Sequence, residues 1–97
     1  MSQKIISFNT GRGYTEHGQR IAAMQLNDGR VVFVDVDRGI RYVTAERCEL
    51  TQRAVMRAYD YNDTGCEWAA IPDCATREAI IGELEAAARA VQGCGYE

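Results

Sequence analysis

Between residues 20 and 44 the chain runs apolar, breaks at Asn27-Asp28-Gly29, runs apolar again and breaks at Asp37-Arg38-Gly39. Each break ends in glycine, which suits a hairpin loop in which a type I turn is followed by a left-handed residue. Two such loops predict a three-stranded antiparallel meander. The first loop pairs Leu26 with Arg30, Met24 with Val32, Ala22 with Val34 and Arg20 with Val36. The same geometry at the second loop pairs Val36 with Ile40, Val34 with Tyr42 and Val32 with Thr44. Because side chains alternate along a strand, Ala22, Met24, Leu26, Val32, Val34, Val36, Ile40 and Tyr42 are expected on one face.

The opposite face then carries Ile21, Ala23, Gln25, Val31, Phe33, Asp35, Arg41 and Val43. Asp35 is expected opposite Arg41, an exposed ion pair of at most about 1 kcal/mol. A solvated face does not normally hold Ile21, Val31, Phe33 and Val43 together. Either another element covers it or it meets a partner.

The flanking segments add a strand and two helices. Residues 4–8, with Ile5, Ile6 and Phe8, read as a short strand. Residues 9–18 hold three glycines and form a loop, which would let the first strand pair with the meander. From Leu50 the period becomes helical through Ala54, Val55, Ala58 and Tyr59, with Thr51 as N-cap. Residues 62–72 read as a loop holding Trp68 and Pro72. A second helix opens on Asp73 and runs to about Gln92, where Gly93 stops it. Its expected inner stripe is Ile80, Leu84, Ala87, Ala88 and Val91. The fold class is therefore α+β: a three- to four-stranded antiparallel meander sheet followed by two α-helices packed on one face. Residues 1–97 should form a single compact domain, with a sheet half (1–47) and a helical half (48–97).

Composition changes this picture little. Hydrophobic residues make up 46% of the 97 positions and charged ones 26%, an ordinary globular balance. No apolar run approaches the roughly 20 residues of a membrane span, and the start of the chain lacks a signal-peptide core. A cytoplasmic protein without a membrane partner is the expectation. The net charge of −3 is split unevenly, +2 in the sheet half and −5 in the helical half.

Candidate chemistry is thin. Cys48, Cys66, Cys74 and Cys94 lie 18, 8 and 20 residues apart, with no metal pair of the C-x2-C type. A zinc site from Cys66, Cys74 and His17 would need three unconnected segments, so the cysteines are read as ordinary thiols. Gly11-Arg12-Gly13 lacks the remainder of a phosphate-binding loop. Residues 60–65 imitate the first half of a calcium loop, but its twelfth position is Ile71 in place of a bidentate Glu. The single histidine, His17, has no nucleophile motif to serve. We expect no metal, no cofactor, no catalytic residue and no enzymatic activity.

What remains points to recognition. Arg12, Tyr14 and Arg20, in or beside the glycine-rich loop, and Val31, Phe33, Arg41 and Val43 on the outer sheet face form the expected partner-binding surface. The partner would be another protein or a second copy, as homodimer. In size and charge the chain resembles, in type only, the accessory proteins of phages and plasmids, inhibitors of host complexes among them. No motif identifies such a family. The alternative is a nucleic-acid-binding domain that uses Arg12, Arg20, Arg30, Arg38 and Arg41 on phosphates, with Phe33 or Tyr14 stacking on bases. Against it stand the interleaved acids Glu16, Asp28, Asp35 and Asp37 and a pI of about 5.1.

Overall fold

The computed structural model describes residues 4–11, 18–60, 64–66 and 74–91. They form five strands and two helices: β1 (Ile5–Asn9), β2 (Arg20–Gln25), β3 (Val31–Asp35), β4 (Ile40–Thr44), α1 (Gln52–Asp60), β5 (Thr64–Cys66) and α2 (Cys74–Arg89). The strands make one antiparallel sheet in chain order, β1-β2-β3-β4-β5. No helix among the described residues is long and apolar enough to cross a membrane. The α+β class, with an antiparallel meander followed by two helices on the sheet, is as the sequence predicts. A fifth strand joins it, in a segment read as loop.

The first hairpin follows its turn chemistry. Gly29 takes φ +92°, its N–H donates to the Leu26 carbonyl at 2.9 Å, and the Leu26 N–H donates to the Arg30 carbonyl at 2.7 Å. Ala22 accordingly pairs with Val34 and Met24 with Val32, the expected register.

The second hairpin is shifted by one residue. Phe33 pairs with Tyr42 and Val32 with Val43, so four residues (36–39) form the loop in place of three. The cause lies in Asp35. Its Oδ1 accepts the Asp37 and Arg38 N–H groups at 3.1 and 3.2 Å, so the turn begins one residue earlier. Tyr42 therefore moves to the Phe33 face, and Val43 moves to the face of Val32 and Val34. The expected Asp35–Arg41 pair does not form. Arg41 reaches Glu85 on α2 instead, at 3.3 Å.

The same shift bears on the helices, which lie on opposite faces of the sheet and not together on one. Ile81, Leu84 and Ala88 of α2 pack on Ala22, Met24, Val32, Val34 and Val43. Val55 of α1, with Met56 and Tyr59 at its margin, covers Phe8, Ile21, Ala23, Val31 and Phe33. Two apolar sheet faces require two covers, since either one left open would keep large side chains in water. Thr51 caps α1 as expected, accepting the Ala54 N–H at 3.1 Å. The Asp73 cap of α2 lies outside the described residues.

The chain between β4 and α1 is tied to the first turn. The Cys48 N–H donates to the Gly29 carbonyl at 3.0 Å, and Gln25 Nε2 bridges the Gly29 and Cys48 carbonyls at 3.2 and 2.8 Å. The Arg47 side chain crosses over Gly29 so closely that a Cβ there would lie 2.9 Å from its Cγ.

Candidate functional site

The densest polar constellation lies where β3 ends beneath α1. Asp35 is buried, with 1% of its surface exposed. Its Oδ2 accepts from Gln19 Nε2 at 2.8 Å and from the Tyr59 hydroxyl at 3.0 Å, while Oδ1 takes the two turn amides. Four donors thus meet two oxygens, which fills the acceptor sites a carboxylate offers. The chain extends outward on both sides: the Thr10 hydroxyl donates to Gln19 Oε1 at 2.9 Å, and Arg38 donates to the Tyr59 hydroxyl at 3.2 Å. Burial first, then the neighbouring Asp35 charge, pushes the Tyr59 phenol up to about 12.

Beside this cluster, Phe33, Tyr42 and Tyr59 pack as three mutually contacting rings, with centroids 5.4 to 5.9 Å apart. Asp37 receives the Arg20 N–H at 2.7 Å and its guanidinium at 2.8 Å, which ties the second turn to β2. That hydrogen bond, more than the Coulomb attraction, raises the Arg20 pKa. The arrangement positions a turn. A general base needs a free lone pair facing a substrate, and every acceptor site on Asp35 is engaged by the protein.

A shallow groove of about 410 Å³ lies between α1 and residues 44–49. Arg47 and Arg57 line it together with Glu46 and Glu49, so its charges balance. Its one thiol, Cys48, is pushed up by burial and then by Glu49, the opposite of what an activated nucleophile requires. Among the described residues, no three His, Cys, Asp or Glu side chains are placed to hold a metal ion.

The surface expected from the sequence separates into parts. Val31, Phe33 and Val43 are fully buried, the first two beneath α1 and the third beneath α2. They are core, and the outer face they were expected to offer a partner is covered by the chain itself. Arg20 is held by Asp37, and Arg41 stands exposed at the opposite face, bonded to Glu85. Arg12, Tyr14 and His17, in the middle of the glycine-rich loop, lie outside the described residues.

Sequence reasoning missed Gln19 and Tyr59, which converge on Asp35 from 16 and 24 residues away. It also missed the outer edge of the sheet. Thr10 donates to the Gln19 carbonyl at 2.9 Å, which fixes the alternation of the β1–β2 ladder. Ile6 and Phe8 direct their backbone groups at β2, while Ile5 and Ser7 direct theirs away from it. The β2–β3 pair agrees: Leu26–Arg30 and Arg20–Val36 are its hydrogen-bonded positions, which leaves Ile21 and Ala23 to serve β1. With this geometry established, no family model, curated protein or solved structure matches the chain.

Proposed function

We propose that the chain is a non-catalytic protein-binding module whose contact is made at the rim of the sheet, along β1. The observation that carries this reading is that both sheet faces are covered by the protein's own helices. Among the described residues, the sheet leaves unladdered backbone on the outer side of β1, at Ile5 and Ser7. Backbone amides and carbonyls in an extended row select another polypeptide, which can supply the matching ladder. The engaged carboxylate of Asp35 and the raised thiol of Cys48 support the absence of catalysis in this reading.

An accessory role, as an inhibitor that occupies a larger host complex, is the form of the proposal that a small domain with an open edge suits best. The cytoplasm is the proposed compartment, where the free Cys48 thiol would stay reduced. Among the described residues, the arginines that the nucleic-acid alternative would use are engaged within the protein. Arg20, Arg30 and Arg41 are each ion-paired, and Arg38 is bonded to Tyr59.

Affinity capture from the cells that make the protein tests the reading. Capture should return a protein that survives nuclease treatment, and Ser7→Pro should lose it. Capture that disappears with nuclease, or that weakens steeply between about 50 and 200 mM salt, would overturn the reading in favour of nucleic acid.

A further inference from the structure

The sheet has two outer edges, and they are built differently. Among the described residues β5 spans three, and its pairing with β4 slips between Val43 and Thr44, two features that keep an edge from accepting another strand. β1 carries neither. Its five residues, Ile-Ile-Ser-Phe-Asn, pair with β2 in unbroken register and include no charge and no proline. Ser7, at its centre, is exposed, and Ile5 and Ile6 are half-buried. Among the described residues no strand pairs with the outer side of β1, and an apolar edge of this kind is a standing invitation to strand addition.

We propose that β1 pairs antiparallel with β1 of a second copy, about a two-fold axis at Ser7, to make one continuous sheet across the dimer. This rests on the protein-binding reading above and names the partner. The strand is self-complementary in that arrangement. Ser7 and Ile5 direct their backbone groups outward, so Ser7 meets Ser7 of the second copy as a hydrogen-bonded pair, and both of its backbone groups are used. Ile6 then lies opposite Phe8 of the second copy, an aliphatic–aromatic cross-strand contact that continues the α1-side core. Ile5 lies opposite Asn9. The nearest charge, Lys4, falls opposite Thr10 and never meets itself. A two-fold axis normal to the sheet also keeps both α2 helices on one side and both α1 helices on the other, so no helix crosses the new ladder. Isologous two-fold pairing is the commonest closed assembly, and it consumes the open edge of both copies.

The test uses the full chain and light scattering across a concentration series. The wild type should form a dimer that dissociates on dilution. Ser7→Pro removes an outward N–H and leaves the β2 ladder intact, so the fold, followed by circular dichroism, should persist while dimer affinity falls about a hundredfold. Ser7→Asp and Ser7→Lys each set like charges across the axis and should each weaken the dimer about tenfold. An equimolar mixture of the two should restore it, which keeps the proposal testable even where the proline variant does not fold. A wild type that stays monomeric while still capturing a protein through β1 would overturn the second copy and leave the protein-binding reading standing. A dimer indifferent to all three substitutions would place its interface elsewhere.

Discussion

The two faces of the sheet are both sealed, yet they are sealed by different physics. On the α2 side the buried set is Ala22, Met24, Val32, Val34, Val43, Ile81, Leu84 and Ala88, all of them apolar. On the α1 side Phe8, Ile21, Val31, Phe33 and Val55 share the interior with Asp35 and Gln19, whose side chains are bonded to each other and, through Asp35, to Tyr59. The first face depends on volume and shape. The second also depends on a hydrogen-bond network that sets the register of the neighbouring hairpin. A face of the first kind should lose stability in proportion to what is removed, whereas one of the second kind should respond sharply to single polar atoms.

Phe33→Asp should have the largest effect. Phe33 is fully buried under α1 and contacts both Tyr42 and Tyr59, so an unpaired carboxylate there costs more than a small domain's whole stability. The domain should be unfolded by circular dichroism and amide dispersion. A folded variant would mean that α1 is not a permanent cover.

Asp35→Ala and Leu84→Ala set the two faces against each other. Removing the carboxylate strands Gln19 Nε2, the Tyr59 hydroxyl and two turn amides, an expected loss of about 4 kcal/mol. Leu84→Ala empties space in the apolar face and should cost about 3 kcal/mol. Urea midpoints compare them directly. The register should also respond to Asp35→Ala alone, visible as lost Phe33–Tyr42 cross-strand contacts by NMR. An unchanged hairpin would remove Asp35 as the cause of the four-residue loop.

Tyr59→Phe is smaller, about 1 kcal/mol, because the two hydrogen bonds it removes, to Asp35 and from Arg38, belong to a partly exposed side chain. Its pH dependence is the sharper signal. Because the folded phenol titrates near 12, above the ordinary value of 10, its contribution is fully present below pH 10 and lost as pH rises toward 12. Wild-type stability should therefore decline across that window, and the variant should decline less. Equal slopes would remove Tyr59 from the account.

Arg41→Ala should do least, about 0.5 kcal/mol or below, because its contact with Glu85 is 3.3 Å long and its side chain is 46% exposed. A larger loss would show that the α2 face also relies on charge.

How far the sequence could be read follows from the range of each interaction. Asn27-Asp28-Gly29 and Thr51 act on neighbours a few residues away, and both behave as their chemistry predicts. Asp37-Arg38-Gly39 has the same composition as a three-residue loop, but a side chain just outside it, Asp35, captures two of its amides and lengthens the turn. That competition is invisible to a pattern that counts only loop residues. Likewise Ile21, Val31 and Phe33 do signal a second buried face. What covers them is decided by where the chain turns after β4, which no alternation of residues encodes. Of the candidate site, the covered face could have been inferred from its apolarity. The Asp35 cluster could not, since Gln19 and Tyr59 reach it only once strand and helix are assembled. β5, three residues around a glycine, carries too weak a β pattern to separate from loop.

The tie between Gly29 and residues 47–48 has one further consequence. After β4 the chain is free, in principle, to cross to either side of the sheet, and the two choices give folds of opposite hand. The Gly29 carbonyl and Gln25 hold Cys48 at the end of the β2–β3 hairpin, and Cys48 and Leu50 then lean on the Phe33 side. From there α1 closes that side, and α2 covers the other. A backbone tie at one turn, at a glycine whose φ of +92° admits no ordinary side chain, thus favours one of two nearly equivalent apolar surfaces as the place where α1 docks.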